Sequence, residues 1–177
     1  MSHSPTAADL AHAIRNVPDF PKPGIQFKDI TPVLADAKLF AASIDLLTAG
    51  LKPGSVDAVV GIDARGFIFA AAAAVKLNAG FVPVRKKGKL PYQTYEQSYD
   101  LEYGNNTIAI HVDAVKPGAR VVLIDDLLAT GGTAAAAVAL LERVGAKVLE
   151  VTFLIELSFL NGRQKLQGHN VRSLITY

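Results

Sequence analysis

Short apolar runs alternate with helix-period stretches along the chain, and that alternation sets the expected architecture. Val121 to Ile124 (VVLI) is four aliphatic residues in a row, the pattern of a strand buried on both faces of a parallel sheet. Asp57 to Ile62 (DAVVGI) and Val148 to Leu157 (VLEVTFLIEL) read the same way. Phe81 to Lys86 (FVPVRK) is a further strand, with Pro83 arguing for a strand end or edge, and Thr107 to Val112 alternates as a strand should. Between them lie helical stretches. Asp36 to Ala49 carries Leu39, Phe40, Ile44, Leu46 and Leu47 at amphipathic spacing, with Gly50 following. FIFAAAAAVKL after Gly66 stops near Asn78 to Gly80, and AAAAVALLERVGA after Thr133 stops at Gly145. Asp9 to Arg15 is a shorter helix before Pro18. The order predicts an α/β fold in one domain, 1–177, with a twisted, mostly parallel core sheet of about five strands flanked by helices.

Polar residues at the strand ends carry the candidate chemistry. Asp125 and Asp126 are expected to end the Val121 strand, because a carboxylate pair needs partners that an apolar layer lacks. Ala129-Thr130-Gly131-Gly132-Thr133 follows. Adjacent glycines let successive N–H groups face one concavity, the hydroxyls add donors, and a helix N-terminus favours an anion there. Neither GxxxxGK[ST] nor GxGxxG is present, so ATPase and dinucleotide readings fail. Two acids before a phosphate loop would repel a polyphosphate laid across them but suit ribose hydroxyls. A sugar with a phosphate at one end satisfies both.

The Asp57 strand repeats the arrangement, ending in Asp63-Ala64-Arg65-Gly66 before an Ala-rich helix. Arg65 at a helix start is unfavourable unless an anion neutralises it, though a lone Arg in a turn is often a solvated surface residue. Arg85, Lys86, Lys87 and Lys89 form a basic cluster, enough for a pyrophosphate and too small for DNA. Gly88 to Gly104, long, polar and aromatic, reads either as a lid or as a solvated β-ribbon. DFPKPGIQFKDITPVL, Asp19 to Leu34, has too many prolines for a regular helix and too many apolar residues for a linker, so it is a structured cover or an extended segment packed on the core.

Composition narrows the classes. Eighteen basic against sixteen acidic residues, a net charge of +2, give no basis for nucleic-acid binding or a membrane surface. There is no Cys, and the four His residues are widely spaced, so disulfides are excluded and a zinc site is not expected. No apolar run reaches the roughly 18 to 20 residues of a membrane span, and no secretory leader pattern opens the chain, so a cytoplasmic protein is expected.

VVLIDDLLATGGT resembles the phosphoribosyl-pyrophosphate (PRPP) motif of type I phosphoribosyltransferases, in the form that acts on adenine. FPKPGIQFKDITPVL, GIDARGF, RKKGKLP and SYDLEYG resemble that family's hood, pyrophosphate loop and the two arms of its flexible catalytic loop, while PYQTYEQ between the arms matches less well. The resemblance runs from about Asn16 to Tyr177 and implies the type I fold, with a hood in about 1–34 and a flexible loop over about 86–106. It implies transfer of the phosphoribosyl group of PRPP to adenine, giving AMP and pyrophosphate in purine salvage. Ala129 to Thr133 would hold the 5′-phosphate, Asp125 and Asp126 the ribose, and Arg65, Arg85, Lys86 and Lys89 the pyrophosphate. Ile25 and Lys28 would offer main-chain groups to adenine, with Phe27 and Leu128 on its faces. Glu102 and Tyr103 would stand at the reacting base. Mg²⁺ would be held mainly by substrate and waters, the assembly would be a homodimer, and a non-proline cis peptide would fall at Asp63–Ala64. Two rivals stay open: a 6-oxopurine (hypoxanthine, guanine or xanthine) as the base, and a PRPP-sensing regulator without catalysis.

Overall fold

The structure, a computed structural model, describes residues 4–100 and 105–177. It divides into two compact units, Met1–Leu46 and Leu47–Tyr177.

In the first unit, α1 (Ala7–Ala13) opens on a reciprocal cap, the Asp9 amide donating to the Thr6 hydroxyl and the Thr6 amide to the Asp9 carboxylate. β1 (Arg15–Val17) and β2 (Phe27–Asp29) pair antiparallel, with Asn16 opposite Lys28. The loop between them folds on itself: the Gly24 amide donates to Asp19 at 2.7 Å, and Phe20 meets Phe27 edge-on at 5.1 Å. A regular helix was not expected before Leu34, yet α2 spans Thr31–Ala35. The reason is position, since Pro32 stands in the first turn, where a missing N–H costs no helical bond. α3 (Ala37–Leu47) is capped by Asp36, which accepts the Lys38 and Leu39 amides at 2.8 and 2.9 Å.

The second unit runs β3 (Ala58–Ile62), α4 (Gly66–Leu77), β4 (Gly80–Lys86), β5 (Thr94–Asp100), β6 (Asn105–His111), β7 (Arg120–Leu128), α5 (Gly132–Arg143), β8 (Lys147–Glu156) and β9 (Val171–Thr176), with two short 3₁₀ turns, Ser158–Leu160 and Gly162–Leu166, before β9. One seven-stranded sheet takes the order β5-β6-β4-β3-β7-β8-β9. The five strands from β4 to β9 are parallel, and β6 and β5 add an antiparallel edge. Thr107 to Val112, read as a strand, is thus the antiparallel neighbour of β4, and the fifth parallel strand comes from the C-terminal VRSLIT.

Side-chain size explains the layering. Val59, Val60, Val121, Leu123 and Ile124 are fully shielded, as central parallel strands require, and α4 lays Phe69, Ala70 and Ala73 on the sheet. α5 buries Ala137, Val138, Leu140 and Leu141, and its small residues let it lie close to the strands beneath. Each fully buried Leu or Val contributes about 1.5–3 kcal/mol. Among the described residues no helix is long and apolar enough to cross a membrane.

Candidate active site

β7 does not end at its acids. It continues through Leu128, because the ten-residue β8 supplies partners as far as Glu156. On the other side β3 runs out: its last partner on β7 is Ile124, opposite Gly61. Beyond that point β7 is paired on one edge only, and Asp125 and Asp126 sit where the other edge opens. This is the crevice outside the strand ends at which α/β sheets hold ligands.

Both carboxylates are largely buried, with relative exposures of 9 % and 6 %. Burial, and then the neighbouring Asp126 charge, push the Asp125 carboxyl well above the ordinary carboxylate range. Burial also raises Asp126, against the pull of Arg65, whose Nε lies 2.7 Å from Asp126 Oδ2. The Asp126 amide donates to Asp125 Oδ1 at 2.9 Å. A Cβ at Gly66, the first residue of α4, would collide with that same Asp125 oxygen, so glycine there makes room for the acid.

The phosphate loop leads straight into α5. Gly131 is the N-cap, at φ 78°, a left-handed angle that favours glycine, and no side chain caps the helix, so the first-turn N–H donors face outward. The second half of the chain presses on this loop from behind. A Cβ on Gly131 would strike the Gly162 backbone, and one on Gly162 would strike Ala129 and Gly131. The two glycines therefore let two backbones meet.

Across the crevice, Ile62 leads into the Asp63 to Arg65 turn, whose Asp63–Ala64 peptide is cis. Arg85 is engaged within the protein: its Nε donates to Asp63 Oδ2 at 2.9 Å and its Nη1 to the Lys89 carbonyl at 2.9 Å, tying the turn to the segment after β4. Lys87 pairs with Glu96 at 2.8 Å, whereas Lys86 and Lys89 are exposed and make no ion pair among the described residues.

These elements enclose a cleft of about 330 Å³, walled by Asp63, Ala64, Arg65, Tyr99 and the run from Asp125 to Ala134. It gathers Arg65, Asp125, Asp126, Leu128, Ala129, Thr130, Gly131, Gly132 and Thr133; Arg85, Lys86 and Lys89 lie outside its walls. Ile25, Phe27 and Lys28 belong to the first unit, where Ile25 is 43 % exposed and Lys28 Nζ donates to Asn16 at 2.6 Å. Glu102 and Tyr103 lie outside the described residues. Leu128 has little side chain to offer a ring, being 1 % exposed and packed in the core; Leu127, on the opposite face of the strand, is partly open. Gly66, Tyr99, Leu127 and Gly162 carried no role in the sequence reading. Only Tyr99 had a local signal, its place in SYDLEYG; the others owe their roles to neighbours distant in the chain.

A sheet crevice with a glycine loop at a helix N-terminus on one wall, buried acids at its floor and a guanidinium opposite is an α/β site whose chemistry suits a sugar phosphate. The phosphoribosyl transferase domain model matches residues 26–169. The adenine phosphoribosyltransferase of Acidothermus cellulolyticus is 59 % identical over 166 residues, 94 % of each chain, and that of Roseiflexus sp. is 56 % identical over 96 % of this chain and 98 % of its own. Among solved structures, the adenine phosphoribosyltransferase of Rhodothermus marinus superposes with a TM-score of 0.92 at 52 % identity, covering 97 % of this chain and 98 % of its own. The Saccharomyces cerevisiae enzyme, solved with an imino-altritol bisphosphate and adenine, gives 0.87 at 39 % identity, over 95 % and 97 %. The chain belongs to the adenine phosphoribosyltransferase branch of the phosphoribosyl transferase family.

Proposed function

We infer that this chain transfers the phosphoribosyl group of PRPP to adenine, releasing pyrophosphate and AMP, in purine salvage. The carrying observation is the cleft itself, with a helix-terminal phosphate loop, a buried acid pair and Arg65 within about 330 Å³. Ala129 to Thr133 hold the 5′-phosphate with main-chain N–H groups and hydroxyls. Asp125 and Asp126 accept hydrogen bonds from the ribose hydroxyls, and Arg65, with Lys86 and Lys89, gathers the pyrophosphate. Arg85 acts by fixing the Asp63 turn and the root of the following segment.

Leu127, partly open on the cleft, is the residue of the second unit assigned to a face of adenine; from the first unit Phe27 is assigned to pack on the base, and Ile25 and Lys28 to read its edge through main-chain groups. N9 forms the bond to the anomeric carbon as the bond to pyrophosphate breaks. The electron pair leaves with pyrophosphate, and the carboxylate of Glu102 takes the proton the purine loses, a contribution of roughly 10²- to 10⁴-fold. Tyr103 contacts the leaving group. The donor set suits Mg²⁺: one of the two carboxylates is already engaged by Arg65, so a cation that keeps its waters would take most of its shell from ribose and pyrophosphate oxygens. When bound it neutralises charge developing on the pyrophosphate.

A homodimer and a cytoplasmic location belong to the same reading. Support for the dimer comes from α4, which leaves Ile68 and Val75 exposed seven residues apart, and from exposed Phe81, whose ring meets Phe67 of α4 edge-on at 5.4 Å. The test of function is nucleotide formation from PRPP and Mg²⁺ with adenine, hypoxanthine, guanine and xanthine in parallel. AMP from adenine alone is expected. A 6-oxopurine preference would overturn the base assignment, and PRPP binding without turnover on any base would make the chain a sensor.

A further inference from the structure

The cleft has one wall that the roles above leave unused. Tyr99, on β5, lines it together with Thr133 and Ala134, although β5 is the outermost strand of the sheet and β7 lies four places away. Strand and helix geometry explain how it gets there. Four residues earlier on the same face, Tyr95 is pinned beneath the guanidinium of Arg143, 4.2 Å from the ring centroid, in the last turn of α5. From Tyr95 to Tyr99 the strand advances about 13 Å, at roughly 3.3 Å per residue. From Arg143 back to Ala134 the helix covers about 13 Å as well, at 1.5 Å per residue. With β5 lying against α5, the two tyrosines therefore mark the two ends of the helix: Tyr95 its C-terminal end, Tyr99 the N-terminal turn where the phosphate loop begins.

The chemistry of Tyr99 fits that position. Its ring is half-buried and packs against the apolar core, which fixes its direction. Its hydroxyl makes no hydrogen bond among the described residues. A phenol held at the rim of an anion site with its donor unspent has one natural acceptor, a non-bridging phosphate oxygen.

We propose that Tyr99 is a further substrate-binding residue, whose hydroxyl donates to the 5′-phosphate shared by PRPP and AMP from the side opposite the Gly131 loop. The proposal rests on the transferase reading and deepens it. A group that touches only the 5′-phosphate binds ground state and transition state alike, so its loss should appear in affinity rather than in turnover.

The test is calorimetric titration of wild type, Tyr99→Phe and Tyr95→Phe with AMP, ribose 5-phosphate and adenine, alongside steady-state kinetics. One hydrogen bond to a charged phosphate corresponds to roughly a tenfold change in dissociation constant. Tyr99→Phe keeps the ring and its packing. It should weaken AMP and ribose 5-phosphate about tenfold, raise KM for PRPP similarly, and leave adenine binding and kcat near wild type; Tyr95→Phe should change none of these. Unaltered AMP affinity in Tyr99→Phe, or equal losses for AMP and adenine, would overturn the contact while leaving the transferase reading intact. Wild-type protein that binds neither AMP nor PRPP would overturn the transferase reading itself.

Discussion

Replacing Gly162 by alanine tests whether the phosphate loop is held by the backbone behind it. The added Cβ would lie 2.9 Å from the Gly131 nitrogen and 3.0 Å from the Ala129 carbonyl carbon, and nearer still to the Ala129 oxygen, where ordinary contact begins near 3.4 Å. No flexible side chain is available to yield, since all of these atoms are main chain. The loop must retreat by about half an ångström at the Gly131 amide and by more at Ala129. Overpacking of this kind costs about 1–3 kcal/mol, which for a chain of this size lowers Tm by roughly 2 to 12 °C.

The larger effect should fall on substrate. The displaced atoms belong to the loop proposed to hold the 5′-phosphate, and weakening one charge-assisted hydrogen bond corresponds to roughly tenfold in affinity. Gly162→Ala should therefore raise KM for PRPP about tenfold and leave KM for adenine unchanged, measured by AMP formation with each substrate varied in turn. Gly80→Ala is the control, because its Cβ meets only Asp57 O at 3.5 Å and Ala58 Cβ at 3.9 Å. Wild-type PRPP affinity in Gly162→Ala, with Tm unchanged, would refute the buttress.

Three other outcomes are expected. Unfolded aspartates titrate near 3.8 and both acids of the pair are shifted upward in the fold, so above that pH the folded chain holds more protons than the unfolded one and stability falls as pH rises. Asp125→Asn should thus raise the melting temperature of the ligand-free protein at pH 7 to 8 and flatten its decline with pH while losing PRPP binding; a lower Tm across the whole range would contradict this. Val75, 84 % exposed on α4, should become a dimer breaker as Val75→Glu, shifting the sedimentation coefficient to that of a monomer; an unchanged coefficient would remove α4 from the interface. Glu102→Gln should depress kcat by roughly 10²- to 10⁴-fold with PRPP affinity kept, and equal losses in both would sink its acid–base role.

Local chemistry was legible in the sequence; contributions across the chain were not. The strand, acids, glycine loop and helix of residues 121–143 signal themselves because hydrophobic period, carboxylates and a cap are adjacent. So does the second strand, turn and helix of the same design, from Ala58 through Arg65 to α4, although the pairing of Arg65 with Asp126, 61 positions on, gave no signal in the sequence. Gly162 gave no such signal, since its backbone meets a loop thirty residues earlier and a lone glycine in a turn looks like any other. Arg85 read as a free cation because Asp63, 22 positions away, is no sequence neighbour. Leu127 and Leu128 are indistinguishable in composition; both line the cleft, and only the strand's continuation decides that Leu127 keeps its side chain partly open while Leu128 is packed in the core.

That continuation is also what makes an acid pair tolerable at the centre of a sheet. Had β7 stopped at Ile124, as the carboxylates suggested, Asp125 and Asp126 would sit in a loop, hydrated and close to their ordinary pKa. Instead β8 carries the hydrogen-bond ladder on to Leu128 opposite Glu156, while β3 withdraws after Gly61. The strand pins the acids in place, and the missing neighbour opens them to ligand on one side. Their raised pKa values and the Arg65 pair follow from that half-exposed position. A ribose that brings hydroxyl donors relieves the same desolvation, so the folded, empty site is less stable than the filled one by an amount that grows with pH. The extra protection against thermal unfolding that AMP gives over its 2′,3′-dideoxy analogue, which carries the same phosphate, should accordingly grow as pH rises, and an extra protection that does not change with pH would argue that the acids do not meet the ribose.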